Sequence, residues 1–370
     1  MTRPRRLCRL FGLMAGAALL AVLGGCGSGA AGPAGGEAEA SAAVKRLEQE
    51  PVAIPITTPL PRKPEPGGTI AFLKCEVPQC TQQAQGFQTA AKAVGWRVVE
   101  IPFVTTDPAS LAPAFRQALD LKPAAVAFGG MPYELWSRYL PDFQRIGAIL
   151  VPNYVGPVPQ SETVPVIAAG PVNDEAMAKS IARWVADDSG GKAHVLVQKI
   201  SAYKAVVGWA DAVKRELGGI CPGCRVSEIE NSATQITGAG AAQSIVSEIR
   251  RDPTIDYVIG YNGAFFGGLN QALANAQLNV KVGGLFPLPQ NVHDVMNGSG
   301  GAFVAVNNQY AAWFSVDAAL RHAQGAPPVS PAEQVFPEKL VTKASAKESD
   351  GDFAGPAGFE EQFLKLWKVR

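Results

Sequence analysis

The sequence predicts an α/β chain folded as two doubly wound parallel-sheet lobes, and three observations carry this expectation. From Thr69 onward, short apolar strand-like runs alternate with amphipathic helical runs through short connections, which is the sequence form of a parallel sheet covered by helices. The alternation runs out near VPVIAAG and starts again at Asp174. The third observation is the stretch Ile255 to Ala276, IDYVIGYNGAFFGGLNQALANA. Its strand run (Ile255, Tyr257, Val258, Ile259) breaks at Gly260, Asn262 and Gly263, then resumes as a helix with Phe265, Phe266, Leu269, Ala272, Leu273 and Ala276 on one side.

In order, TIAFLKC reads as the first strand, and Thr81 to Val94 as a helix burying Ala84, Phe87, Ala90, Ala91 and Val94. RVVEIPFV is the second strand, Pro108 to Leu121 the second helix and AAVAFGG the third strand. Tyr133 to Ile146 is a helix, AILVPNYV a strand and VPVIAAG a short strand. The second series runs helix Asp174 to Asp187, strand AHVLVQK, helix Lys204 to Leu217, strand RVSEIEN and helix Gly240 to Arg251, and then the stretch at Ile255. VKVGGLF and GAFVAVNN add two strands, and Tyr310 to Gln324 a helix. FEEQFLKLWKV places Phe359, Phe363, Leu366 and Trp367 on one helical face. That helix is expected to dock on the body, with a membrane-surface helix as the alternative.

A parallel strand that hands over to a helix through an Asn-Gly turn sets the turn at the carboxyl edge of the sheet, where open α/β folds hold ligands. Asn262 is therefore a candidate ligand contact. Turn geometry and helix capping are the other reading of the same residues.

Hydrophobic residues make up 47% of the chain, and the net charge of +1 comes without a Lys/Arg cluster beyond the first nine residues. That balance argues against a nucleic-acid partner. Arg3, Arg5, Arg6 and Arg9 precede the apolar run Leu10 to Val22, which is too short for a comfortable membrane span. LGGC follows, ending at Cys26. The pattern resembles a bacterial lipobox, so residues 1–26 are expected to be a lipoprotein signal peptide with Cys26 lipidated. An ordinary secretory signal is the alternative. Residues 27–67, rich in Gly, Ala, Pro and Glu, are expected to form a flexible tether.

Four cysteines remain in the body. Outside the cytoplasm the close spacings make Cys75 with Cys80, and Cys221 with Cys224, the natural disulfide pairs. CPGC also fits a redox dithiol or half of a zinc site. Its place in a Gly/Pro turn between a helix and a strand, with no nearby further ligands, favours a structural staple. His194, His293 and His322 lie far apart, and no HExxH, paired metal spacing or complete P-loop occurs. No catalytic residue, metal or cofactor is expected.

From Thr69 to about Val341 the chain resembles the type I periplasmic binding proteins of the ribose-binding kind, the substrate-binding components of ABC importers. The resemblance rests on QGFQTAAKAVGW, QALDLKPAAVAFGG, GWADAVKREL and DPTIDYVIGYNGAFFGGLNQALANA, in that order and spacing. It implies a Venus-flytrap fold with a three-crossing hinge near Asn173, Asn307 and Val335. One lobe would hold residues 68–173 and 308–334, the other 174–307 and 335–345, leaving 346–370 as a linker and amphipathic helix. It also implies ligand contacts at Asn262, at Asn307 in VAVNNQ, and at Asn153 in VPNY, where sugar binders usually carry Asp.

The departures from the family pattern are informative. Gly263 stands where Asp usually follows the strand-end Asn, and GGLF replaces Gly-Phe-Asp, leaving Leu285 or Phe286 at the Asp position. CEVPQC stands where two aromatics sandwich a pyranose, and an Arg common near Tyr203 is missing. A sugar would lose charge-assisted hydrogen bonds worth roughly 1.5 to 3 kcal/mol each. Tyr133, Trp136, Tyr154, Tyr203, Phe265 and Phe286 occupy strand ends or helix starts that can face the cleft, with lobe packing as the alternative for each, and Glu76 joins them as a candidate contact. The expectation is a lipid-anchored receptor on the extracytoplasmic face of the cell membrane. It would carry a small neutral, partly apolar solute to an ABC permease, or, alternatively, report it to a membrane signalling partner.

Overall fold

The computed structural model describes residues 33–105, 107–238 and 240–370, with side chains from residue 39 onward. The signal-peptide reading of residues 1–26, Cys26 included, lies outside the described residues. So does the start of the expected tether.

The first lobe contains β1 (Thr69–Lys74), α2 (Pro78–Ala93), β2 (Arg97–Pro102), α3 (Leu111–Asp120), β3 (Ala125–Gly129), α4 (Tyr133–Trp136), α5 (Leu140–Arg145) and β4 (Ile149–Asn153), preceded in the chain by α1 (Pro33–Leu47). The second contains α6 (Pro171–Asp188), β5 (His194–Lys199), α7 (Lys204–Ile220), β6 (Arg225–Glu230), α8 (Ala233–Ile236), α9 (Gly240–Arg251), β7 (Tyr257–Gly260), α10 (Leu269–Asn275), β8 (Lys281–Leu285), α11 (Pro289–Asn297) and β9 (Phe303–Val306). The chain then returns through α12 (Asn308–Ala323) to the first lobe, crosses to β10 (Glu338–Val341) on the second, and ends in α13 (Phe359–Leu366).

The first sheet has the order β2-β1-β3-β4 and the second β10-β9-β8-β7-β5-β6. All pairs are parallel except β10 with β9. Strands buried on both faces, such as AVAFG and YVIG, read as continuous apolar runs because helices cover each side. Strand order reverses direction beside β1 and β3 in one sheet and beside β5 and β7 in the other. These are the switch points where loops diverge and leave a crevice.

Two of the passages between the lobes are tied together. Asn173 Nδ2 donates to Gln334 O at 2.9 Å, and Phe336 N donates to Asn173 Oδ1 at 2.6 Å, so the first and third crossings share one buried amide. Two further passages join the lobes. α1 buries Ala40 and Val44 in the second-lobe core beside α6, and the chain then runs onto the first lobe, where Ile54, Ile56 and Leu60 are buried. At the other end, Phe353 packs with Val292 and Val341 of the second lobe, while Phe359, Phe363 and Trp367 enter the first-lobe core.

The expectation of a flexible tether over residues 27–67 is therefore corrected for the part described. Proline-rich extended chain buries isolated side chains rather than a periodic face, so Ile54, Ile56 and Leu60 gave no helical or strand signal. The same holds for 346–358, where Asp350 and Phe353 are buried. The C-terminal helix docks on α12, with Trp367 stacked on Trp313 at 5.1 Å between ring centroids and its Nε1 donating to Asp317 Oδ1 at 2.9 Å.

Smaller differences are local. The helix expected over Tyr133 to Ile146 is split by a 3₁₀ turn at Ser137–Tyr139, and Pro141 opens its second half. VPVIAAG forms only an isolated bridge between Asn153 and Ala168. Phe265 and Phe266 belong to a 3₁₀ turn, because Gly268, at φ +74°, separates them from α10. α8, α11 and β10 have no counterpart among the elements expected from the sequence. Cys75 pairs with Cys80, and Cys221 with Cys224, the latter in the turn between α7 and β6.

Candidate functional site

The carboxyl ends of the two sheets face each other across a cavity of about 330 Å³. The first lobe contributes the loops after β1, β2, β3 and β4. The second contributes the loops after β5, β6, β7 and β8. Both switch points therefore open into one space, which is why residues far apart in sequence meet there.

Of the candidate residues, Glu76, Tyr133, Tyr154, Tyr203, Asn262, Phe265 and Phe286 line this cavity. Asn153, Asn307 and Trp136 do not. Asn153 is fully buried, with Nδ2 donating to Val151 O at 2.9 Å and Ser315 donating to its Oδ1 at 3.5 Å. Asn307 caps α12, its Oδ1 accepting the N–H groups of Gln309 and Tyr310 at 2.8 and 3.1 Å. An amide spent on a helix start has little left for a ligand. Trp136 is sealed in the first-lobe core against Phe128.

Asn262 serves both readings. Its Oδ1 accepts the Ala264 N–H at 2.9 Å, fixing the 3₁₀ turn, and also meets Gln79 Nε2 across the cleft at 3.4 Å. Among the described residues, no acceptor takes its Nδ2 hydrogens. Beside it, Gly263 has a steric reason to be glycine. A Cβ there would collide with Asn291 Oδ1 and come within 3.0 Å of Phe286 O. Asn291 is held by the Leu288 N–H at 2.8 Å and donates to Gly263 O at 3.4 Å. The space a family carboxylate would need is filled from beneath by this amide.

Aromatic rings form the interlobe wall. Tyr154 from the first lobe meets Phe286 of the second edge-on at 5.4 Å, and Tyr261 lies 5.7 Å from Phe286. Tyr154 and Phe286 both have φ +51°, the left-handed region. For residues with a Cβ this costs about 1 to 2 kcal/mol each, and such strain gathers at ligand clamps. The Tyr154 hydroxyl donates to Asn308 Oδ1 at 2.7 Å, and Asn308 Nδ2 donates to Gln82 Oε1 at 2.7 Å. Burial, then the charge of Asp174, pushes the Tyr154 hydroxyl well above the ordinary tyrosine range. Tyr261 is raised by the same causes, and its hydroxyl donates to Asp174 at 3.0 Å. Burial raises Asp174 strongly, against the lowering effect of that hydrogen bond.

The charged residues of the wall, Glu76, Glu134 and Lys204, are all exposed at the rim. Burial would raise Glu76, but hydrogen bonds from the Thr105 hydroxyl at 2.6 Å and the Thr105 N–H outweigh it and hold the carboxylate below its usual range. Tyr203 is raised by burial and then by the facing charge of Glu76. The inner wall is thus aromatic and amide in character.

Sequence reasoning missed Gln79, Gln83, Tyr261, Asn308 and the Cys75–Cys80 disulfide as cavity residues. Gln79 and Gln83 stand four apart on the first turns of α2, a helical-face signal that points at the cleft. Tyr261, adjacent to Asn262 at the end of β7, was the more accessible clue.

A family profile for the periplasmic binding protein domain matches residues 77–327. An ABC sugar transporter subunit from Rhodobacter sphaeroides 2.4.1 superposes with a TM-score of 0.64 at 16% identity, over 75% of this chain and 98% of that one. An ABC transporter solute binding protein from Agrobacterium vitis with bound allitol gives 0.64 at 15%, over 75% and 96%. An arabinose binding protein from Geobacillus stearothermophilus gives 0.61 at 14%, over 79% and 100%. At these identities the likeness is one of fold. No curated protein sequence matches the chain.

Proposed function

This chain belongs to the periplasmic binding protein domain family, and on that premise we propose that it captures a small neutral, partly apolar solute between its lobes and presents it to an ABC permease. The observation that carries the reading is the cavity itself. Tyr133, Tyr154, Tyr203, Tyr261, Phe265 and Phe286 supply apolar faces, while Asn262, Gln79 and Asn308 supply amides that both donate and accept. Among the described residues, no buried residue of the wall carries a charge for an ionic solute; the nearby Asp174 lies behind Tyr261 and accepts that hydroxyl's hydrogen bond. The family is one of binding proteins rather than enzymes, and the neighbours in fold include proteins crystallised with allitol and D-allose. For this chain, the occluded position at Gly263 argues for a solute other than a close copy of an aldopentose.

The apolar run Leu10 to Val22 and the LGGC that ends at Cys26 support a lipid anchor on the extracytoplasmic face. Among the described residues, no helix is long and apolar enough to cross a membrane. The test is a thermal-shift screen over sugars, polyols, nucleosides and small aromatic or terpenoid compounds. A ligand at 100 times its Kd stabilises the folded form by about 2.7 kcal/mol. Tight binding of aldopentoses alone would refute the solute class. Asn262→Ala should weaken the best hit tenfold or more, about 1.4 kcal/mol. Uptake of that hit, lost on deletion of the protein, supports import; unchanged uptake with a lost transcriptional response would assign it to sensing.

A further inference from the structure

Two lobes joined by three chain crossings rotate when a few hinge residues change φ and ψ. This chain adds two more connections beside that hinge, and both are fixed at each end. On the second lobe, Lys339 is buried and its Nζ reaches Glu50 at 2.9 Å and Asp350 at 2.8 Å. One ammonium therefore fastens the N-terminal and the C-terminal passages to the same strand, β10. Lys347 adds a second contact to Glu50 at 2.9 Å, and Thr342 donates to Glu48.

On the first lobe the anchoring is apolar and through the backbone. Ile54, Ile56 and Leu60 are buried, the Leu60 N–H donates to Leu366 O at 2.8 Å, and Arg321 donates to Thr58 O at 2.6 Å. The two passages also hold each other. Gln362 accepts the Ile54 N–H at 3.0 Å and donates to Val52 O at 3.1 Å, while the Ala357 N–H reaches Pro51 O at 3.3 Å.

We propose that residues 48–54 and 350–359 act together as a strap that limits how far the lobes separate. The reach of the chain sets the limit. Between Glu50, pinned to the second lobe, and Ile54, pinned to the first, only Pro51, Val52 and Ala53 intervene. Fully extended, that span reaches about 14 Å at roughly 3.5 Å per residue. Pro51 and Pro55 stiffen it further. The lobes cannot open beyond this reach unless the Lys339 cluster or the Ile54 to Leu60 packing gives way. The inference concerns the motion of the lobes and is independent of which solute binds.

The experiment adds slack without removing a contact. Flexible six-residue Gly/Ser inserts are placed after Val52, which is 76% exposed, and after the exposed Ala354. Spin labels on Glu134→Cys and Lys204→Cys, at facing rims of the cavity, report the interlobe distance in the ligand-free full chain. The expected result is a narrow, short distance distribution with the native straps, which broadens and shifts to longer distance in the slackened chain. Equal distributions, whether both narrow or both broad, would overturn the proposal. Hydrogen exchange on the unmodified chain gives a second readout that does not depend on the inserts folding. The Ile54 and Leu60 amides should stay as protected as the lobe helices. Exchange at the rate of exposed loops would show that the straps let go, and would also overturn it.

Discussion

Gly263→Asp restores, in sequence, the carboxylate that sugar-binding relatives carry after the strand-end asparagine, and the structure predicts that it fails. The new Cβ meets Asn291 Oδ1 and lies within 3.0 Å of Phe286 O, neither of which is the loose end of a flexible chain. Asn291 is buried and fixed by the Leu288 N–H at 2.8 Å. Relieving the clash means overpacking, which typically costs about 1 to 3 kcal/mol, and losing that hydrogen bond costs about 1 kcal/mol more. The expected destabilisation is about 2 to 4 kcal/mol, or roughly 5 to 10 °C in Tm for a lobe of this size. Thermal and urea unfolding followed by circular dichroism measure it. Gly263→Ala, which adds only the Cβ, should show most of the effect. The double variant Gly263→Asp with Asn291→Gly should recover a large share, because it empties the contested space. A Gly263→Ala protein within about 0.5 kcal/mol of wild type, or a double variant no better than the single, would refute the steric account of this position.

Trp367→Ala should destabilise the protein by about 3 to 5 kcal/mol, since it removes a fully buried ring stacked on Trp313 and leaves Asp317 Oδ1 without its 2.9 Å donor. Chemical denaturation checks this, and a loss under 1 kcal/mol would mean that α13 is not part of the first-lobe core. Glu338 is half-buried as a residue, but its Oε2 is sealed from solvent without a partner. Burial, only partly offset by the 2.5 Å Ser180 hydrogen bond and by Arg183, pushes it up to about 7 from an ordinary 4.5. The folded state therefore holds this proton more tightly than the unfolded chain. Its contribution favours folding below about pH 4.5 and is lost as pH rises to about 7, by at most about 3 kcal/mol; Glu338→Gln should abolish that slope in pH-dependent unfolding. Replacing both Cys75 and Cys80 by serine frees the loop that forms part of the cavity wall. For so short a loop the loss is about 2 kcal/mol, and the best ligand of the thermal-shift screen should also bind more weakly. Unchanged affinity would confine the disulfide to stability.

Much of this protein was determined by local sequence. Hydrophobic periodicity placed nearly every strand and the long helices, and the restart of the pattern at Asp174 separated two lobes. The strand-to-helix turn at Asn262 pointed to the cleft because a parallel strand has only one ligand-facing end. What an amide does once it reaches that edge depends on which element packs above it. Asn153 and Asn307 look as available as Asn262 in the sequence, yet tertiary packing gives their polar atoms to Val151, Ser315 and the start of α12. In the sequence Gly263 stands as a lost carboxylate, and only the position of Asn291 turns it into a filled space. The straps were the least legible part. Their anchors, Ile54, Ile56, Leu60 and Phe353, are isolated apolar residues in extended chain, with no period to mark them, and they are held by partners such as Gln362 and Lys339, hundreds of residues away from the N-terminal strap. Period-based signals report faces of helices and strands. Where burial is made one residue at a time against a surface built elsewhere, only the folded structure decides it.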